Sequence, residues 1–185
     1  MKKQFGIKSQ SELRFEQEVV DYLTRIGGVK QWEYKAEIKT TEQLWNNFKK
    51  ILEQNNQARL DEPLSATEFN QVKKIITNIN TPYQAGQFLY GVNGVSEIEV
   101  DLDNGKHVFL TVFDQAQVGG GNTVYQVVNQ IQRPKVVDGK PNRRFDITLL
   151  INGLPIIQIE LKKALHNATE ALNQMEQYIA EKQFS

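Results

Sequence analysis

Apolar residues recur at helical spacing through the first half of the chain and alternate with polar ones through much of the second. Leu13, Phe15, Val19, Val20, Leu23 and Ile26 predict a first helix, with Ser11 as its N-cap and Gly27-Gly28 as its stop. Trp32 to Ile38 reads as a short strand. A second helix is expected from Thr41 to about Gln54, with Leu44, Trp45, Phe48, Ile51 and Leu52 inward. Ser65-Ala66-Thr67-Glu68 has the form of a capping box and predicts a third helix to about Asn78, presenting Phe69, Val72, Ile75, Ile76 and Ile79. Thr81-Pro82 opens a further helical turn through Leu89.

After Gly94 the period becomes two. Ile98, Val100 and Leu102 alternate with acidic residues, and Asp103-Asn104-Gly105 turns the chain into a second strand from Val108 to Phe113. Thr123 to Ile131 predicts another strand. Phe145 to Ile151 and Ile156 to Leu161 flank the Asn152-Gly153 turn signal and form the strongest hairpin in the sequence. A last helix is expected over roughly Ala168 to Glu181. Helices, then strands, then a closing helix indicate an α/β (α+β) fold, a mixed β-sheet flanked by helices. The expected organisation is a frayed stretch at 1–10 and a single domain over 11–185, with a helical insertion at about 41–90 and a core at about 95–182.

Composition narrows the function classes. A chain of 185 residues, 39% of them hydrophobic, can bury one core. Lys+Arg 22 against Asp+Glu 22 gives zero net charge, which excludes a bulk basic nucleic-acid binder. There is no cysteine, hence no thiolate nucleophile and no Cys-type zinc site, and two histidines, His107 and His166, make a His-rich metal centre unexpected. No apolar run is long enough to span a membrane, so a cytoplasmic protein with no membrane partner is expected.

The chemistry concentrates between Arg143 and Lys163. Asp146 stands at the mouth of one strand, and Glu160 and Lys162 stand two apart in its partner, so those two share a face. Their neighbours are almost all apolar, and in a strand buried on both faces an ionised Glu and Lys would each cost several kcal/mol unless paired or bound to a metal. Hard oxygens from Asp146 and Glu160, completed by a backbone carbonyl such as that of Leu161 and by water, suit Mg2+ or Mn2+. Such a centre, with Lys162 orienting a water or stabilising a pentavalent anion, points to hydrolysis of a nucleic-acid backbone. Just upstream, Arg133, Lys135, Lys140, Arg143 and Arg144 against the lone Asp138 carry a net charge of +4, and they are expected to meet phosphates. Lys163 is expected to point away from the face of Lys162, toward solvent or DNA.

Register tests the metal reading. If Asn152-Gly153 closes a regular two-residue hairpin, Asp146 faces Ile159 and lies on the wrong side from Glu160. One additional residue brings Asp146 opposite Glu160. A bulge, a three-residue connection or a strand break near Asp146 is therefore required.

Asp146 followed by Glu160-Leu161-Lys162 follows the PD-(D/E)xK nuclease pattern, with Phe145 in place of the proline. Together with Asp-Ile-Thr-Leu-Leu-Ile-Asn-Gly-Leu-Pro-Ile-Ile-Gln-Ile-Glu-Leu-Lys-Lys, it resembles the N-terminal nuclease domain of the R subunit of type I restriction-modification enzymes. Gln174 and Tyr178 match a Gln-x-x-x-Tyr motif of that family, and Ser11-Glu12-Leu13-Arg14-Phe15-Glu16 is similar to its first helix. The resemblance implies a restriction-endonuclease-like fold and a metal-dependent DNA endonuclease acting on double-stranded DNA. In it Gln174 and Tyr178 support the site. Glu12 and Glu16 lie near the face of the first helix that carries Val19 and Leu23, so Glu16 or Glu12 is expected as an accessory ligand where it does not serve the helix dipole alone. It also implies specificity and methyltransferase subunits as partners, and ATP used by translocase domains downstream. The sequence holds no Gly-x-x-x-x-Gly-Lys-Ser/Thr phosphate loop, so those domains are expected outside this chain. Two other readings remain: a docking module of the same complex, and a different PD-(D/E)xK nuclease such as a repair exonuclease.

Overall fold

A computed structural model of the chain describes residues 10–26, 32–119, 121–133 and 143–161, the side chains of Arg133, Arg143 and Arg144 excepted. In chain order the elements are α1 (Gln10–Leu23), β1 (Trp32–Tyr34), α2 (Thr41–Asn55), α3 (Ala66–Thr77), α4 (Pro82–Tyr90), β2 (Val95–Asp101), β3 (His107–Asp114), a 3-10 turn (Gln115–Gln117), β4 (Tyr125–Arg133), β5 (Arg143–Ile151) and β6 (Leu154–Ile159). Two compact units result: Met1–Leu44 with Tyr125–Phe184, and Trp45–Val124. The predicted closing helix lies outside the described residues.

The first unit is built on a four-stranded sheet of order β1-β4-β5-β6. β1 runs parallel to β4, while β4–β5 and β5–β6 are antiparallel, so the sheet is mixed. Val127, Val128, Ile147 and Leu150 are completely buried, as expected for central strands covered on both faces. On one face Val127, Ile147 and Leu149 pack against Val20 of α1, with Val19 and Leu23 beside them. On the other, Val128, Ile131, Phe145 and Leu150 gather around Ile38 and Leu44.

α1 departs from its predicted face. Leu13 and Phe15 are each 47% exposed, whereas Glu16 and Val20 are buried. Apolar spacing alone predicts Leu13 and Phe15 inward, but the buried line of the helix runs through Glu16 and Val20. Gln10 is already helical, so Ser11 lies within the helix rather than at its cap.

The second unit pairs a helical layer with the β2–β3 hairpin, which forms its own two-stranded sheet. Trp45, Phe48 and Phe69 stack edge-on or tilted with centroids 6.1 to 6.3 Å apart. Asn56, buried at the end of α2, donates to the Thr111 carbonyl at 2.9 Å and accepts from its N–H at 2.8 Å, which fixes the helix to β3. The predicted capping box is present: the Ser65 hydroxyl accepts from Glu68 N–H and the Glu68 carboxylate accepts from Ser65 N–H at 2.6 Å. The other Glu68 oxygen accepts from Asp103 N–H at 2.7 Å, so one buried carboxylate caps α3 and holds the β2–β3 turn. Glu68→Ala should therefore cost about 2 to 3 kcal/mol, more than the roughly 1 kcal/mol of an exposed cap, because two charge-assisted bonds are lost together. Urea unfolding measures it, and a loss within about 0.5 kcal/mol would contradict the double role.

His107 on β3 lies between Asp101, 2.7 Å from its Nδ1, and Glu99 at its Nε2. These bonds raise its pKa from the ordinary 6.5. The cluster is exposed, and it belongs to the hairpin rather than to the sheet that carries Asp146.

Candidate active site at the β5–β6 end of the mixed sheet

Local backbone geometry decides where Asp146 and Glu160 fall. Asn152 and Gly153 have φ of 50° and 80°, so both central residues of the hairpin turn are left-handed, as a two-residue type I′ turn requires. Near that turn the pairing is the regular one, Ile151 with Leu154 and Leu150 with Pro155. It then shifts, and Leu149 pairs with Ile157, Thr148 with Gln158 and Ile147 with Ile159. Ile156 is the extra residue of a β-bulge. The pairing ends at Ile147–Ile159 and Glu160 is the first residue past β6, so one further step in the shifted register would set Asp146 opposite Glu160.

A second irregularity lies across from the first. β4 and β5 pair continuously except at one interior position, where the ladder passes from Asn129–Ile147 to Ile131–Phe145 and omits Gln130 and Asp146. Gln130 has φ of 58°, a left-handed conformation that costs a non-glycine residue about 1 to 2 kcal/mol. The strand thus turns over at Gln130, so that Val128 and Ile131, three apart, reach the same apolar cluster. Asp146 stands at this break.

Asp146 is 5% exposed, and its Oδ2 accepts from the Leu161 N–H at 2.8 Å, which draws the main chain after β6 up to the carboxylate. Gln158 reinforces the approach by donating to the Ile147 carbonyl at 3.0 Å and accepting from the Thr148 hydroxyl at 2.8 Å. The expectation that β6 is buried on both faces is not met. β6 is the last strand in the described sheet, with Pro155, Ile156 and Ile157 exposed and Glu160 half-buried. Apolar side chains on an edge strand need not be covered, yet Oε1 of the half-buried Glu160 is itself shielded from solvent, so both carboxylates are partly desolvated.

Glu16, on α1, is 1% exposed. Its Oε1 accepts from Asn129 Nδ2 at 2.7 Å and its Oε2 accepts from Gln130 Nε2. Asn129 Oδ1 in turn accepts from the Tyr34 hydroxyl at 2.9 Å and from Lys39 Nζ, which also donates to the Asn129 carbonyl at 2.8 Å. Burial lowers the Lys39 pKa, opposed by the negative charges of Glu16 and Glu37; burial raises that of Tyr34, with Glu16 adding to it. The Asn129-Gln130 pair was missed in the sequence. Two amides inside the run Val127-Val128-Asn129-Gln130-Ile131 were the available signal, since polar side chains within a central strand need partners.

Among the described residues no group of three His, Asp or Glu side chains is placed to hold a metal ion. The Leu161 N–H that Asp146 accepts is that of the residue next to Glu160, and Glu16 and the half-buried Glu12 one turn before it form no three-ligand group with these carboxylates among the described residues. Arg133 and Arg143 pair with each other and Arg144 pairs with Gln132, so the main chain of these three arginines lies at the end of β4 and β5 nearest the break. Lys135, Lys140, Lys162, Lys163, Gln174 and Tyr178 lie outside the described residues.

The sequence profile of the family described as type I restriction enzyme R protein N terminus matches residues 9–184. The chain belongs to this family. Relatives of this chain include the endonuclease subunit of a type I restriction enzyme, SsaAORF53P, of Staphylococcus saprophyticus, 30% identical over 173 residues. SauMSSORF170P of Staphylococcus aureus strain MSSA476 is 29% identical over 170 residues. Each alignment covers 91% of this chain and 16% of the relative. The EcoprrI endonuclease subunit of Escherichia coli is 43% identical over 56 residues, 30% of this chain and 17% of the relative. The mixed α/β architecture is consistent with the restriction-endonuclease-like fold expected of an R protein N terminus, and among the described residues no helix is long and apolar enough to cross a membrane.

Proposed function

We propose that this chain is the endonuclease module of a type I restriction subunit, hydrolysing phosphodiester bonds of unmodified foreign double-stranded DNA. The observation that carries the reading is the bulge at Ile156, which shifts the β5–β6 register by one residue, so that its continuation past Ile147–Ile159 would set Asp146 opposite Glu160 where a regular hairpin would separate them. Kinship with endonuclease subunits supports the same assignment.

The donor set fits a hard divalent cation. Two carboxylates, one within β5 and one just past β6, with the Leu161 carbonyl, offer oxygen ligands only, and Mg2+ would complete its shell with the several waters it retains. Mg2+, or Mn2+ in its place, would supply polarisation of the phosphodiester and a lowered pKa for a bound water. Asp146 and Glu160 hold and orient, with Asp146 itself oriented by the Leu161 N–H. Lys162 orients the attacking water or stabilises the pentavalent phosphorus anion. Gln174 and Tyr178 would support the site, as the resemblance implies. Arg133, Lys135, Lys140, Arg143, Arg144 and Lys163 contact backbone phosphates and carry no sequence information. Target choice then rests with specificity and methyltransferase subunits in the cytoplasm, and ATP is used by translocase domains outside this chain.

Calorimetric titration of the chain with Mn2+ tests the donor set. Asp146→Asn and Glu160→Gln should each weaken binding by at least about tenfold, the scale seen when only a supporting partner of a ligand is lost. Heats indifferent to both substitutions would instead favour a docking role for the domain in the restriction complex.

A further inference from the structure

Glu16 is the most deeply buried carboxylate described, and it is tied to the one place where the β4–β5 ladder fails. Both of its oxygens accept amide hydrogen bonds, from Asn129 and from Gln130. Gln130 is the left-handed residue opposite Asp146. Unfavourable backbone of this kind persists only where its surroundings over-determine it. Here the surroundings are the Glu16 carboxylate, gripping the Gln130 side chain and its neighbour, and Lys39 and Tyr34, which fix Asn129 from the other side.

We propose that Glu16 is a positioning residue: through Asn129 and Gln130 it locks the break in β4 beside which Asp146 takes the Leu161 N–H, and it does not itself ligate the metal. Three observations separate this role from ligation. Glu16 is 1% exposed, whereas a cation that keeps its waters needs an open approach. Both oxygens already accept from neutral donors. No three-carboxylate group forms with Asp146 and Glu160 among the described residues. The absence of ligation rests on the metal reading proposed above; the positioning role does not.

Exchanging donor and acceptor tests both parts. Asn129→Asp alone sets a second carboxylate against Glu16, and Glu16→Gln alone leaves a single oxygen for two amide donors, Asn129 Nδ2 and Gln130 Nε2. The double variant Glu16→Gln with Asn129→Asp restores every bond: the new Gln amide donates to the new Asp, its oxygen still accepts from Gln130, and Tyr34 and Lys39 still donate. The readouts on the full chain are hydrogen exchange at the Leu161 amide, by nuclear magnetic resonance without metal, and the Mn2+ dissociation constant.

Each single variant should lose at least tenfold in Leu161 protection, and the double variant should recover it to within about threefold. Mn2+ affinity should fall in the singles and return with the double. Leu161 protection that ignores the single variants, or that the double variant fails to recover, overturns the positioning role. Recovered protection with affinity still lost makes Glu16 a ligand and overturns the second half. If the unsubstituted chain shows no Mn2+ binding dependent on Asp146 and Glu160, the metal reading fails separately while the exchange data still decide the positioning role.

Discussion

Asp146→Asn or Glu160→Gln, introduced into a restriction complex reconstituted with the subunit that carries this sequence, should lower DNA cleavage by on the order of 100- to 1000-fold. Removing one of two carboxylates from a cation site forfeits several kcal/mol of charge stabilisation, and each 1.36 kcal/mol is about tenfold in rate. The substitutions are isosteric, so the hairpin should persist. At position 146 the amide oxygen can still accept from Leu161 N–H, which separates loss of charge from loss of local structure. Circular dichroism should be unchanged and ATP hydrolysis by the complex retained, with only the appearance of cut DNA affected. Cleavage at the unsubstituted rate by both variants would remove this pair from the chemistry.

The second large effect is on stability. Leu150→Ala should destabilise the chain by about 2 to 5 kcal/mol, the range for truncating a fully buried leucine where the surroundings only partly collapse. Leu150 has no exposed surface and lies among Ile38, Val128, Ile131 and Phe145, side chains from β4, β5 and the segment after β1. Ile157→Ala on the same sheet is the control. It is 47% exposed, and with so much of its surface already in water it should cost less than about 1 kcal/mol. Denaturant midpoints for the two variants measure the contrast. Equal losses would mean that the cluster around Leu150 is not a core of the first unit.

Much of this was legible in the sequence, because periodicity and turn chemistry are local. The box Ser65 to Glu68, the Asn152-Gly153 turn and the alternation in Val95–Asp101 each specify backbone within a few residues, and each appears as expected. The requirement for an irregular hairpin was legible too, since parity and two carboxylates sufficed. What the sequence withheld depends on partners far along the chain. Glu16 reads as a candidate accessory ligand until Asn129 and Gln130, more than a hundred positions away, provide the two donors that make its burial tolerable. Likewise, alternation shows that β2 and β3 pair with each other but not that they form a sheet of their own.

The bulge at Ile156 turns residue counting into a rule of parity. Asp146 and Glu160 are an even number of residues apart, and an unbulged two-residue hairpin can only bring together residues an odd number apart. One residue gained or lost anywhere between them would therefore turn a carboxylate to the opposite side of the sheet, although every side chain that carries chemistry remained in the sequence. Insertions and deletions in this segment should accordingly occur in pairs across related nucleases, and a relative with a single-residue change here and no compensating irregularity would break the rule.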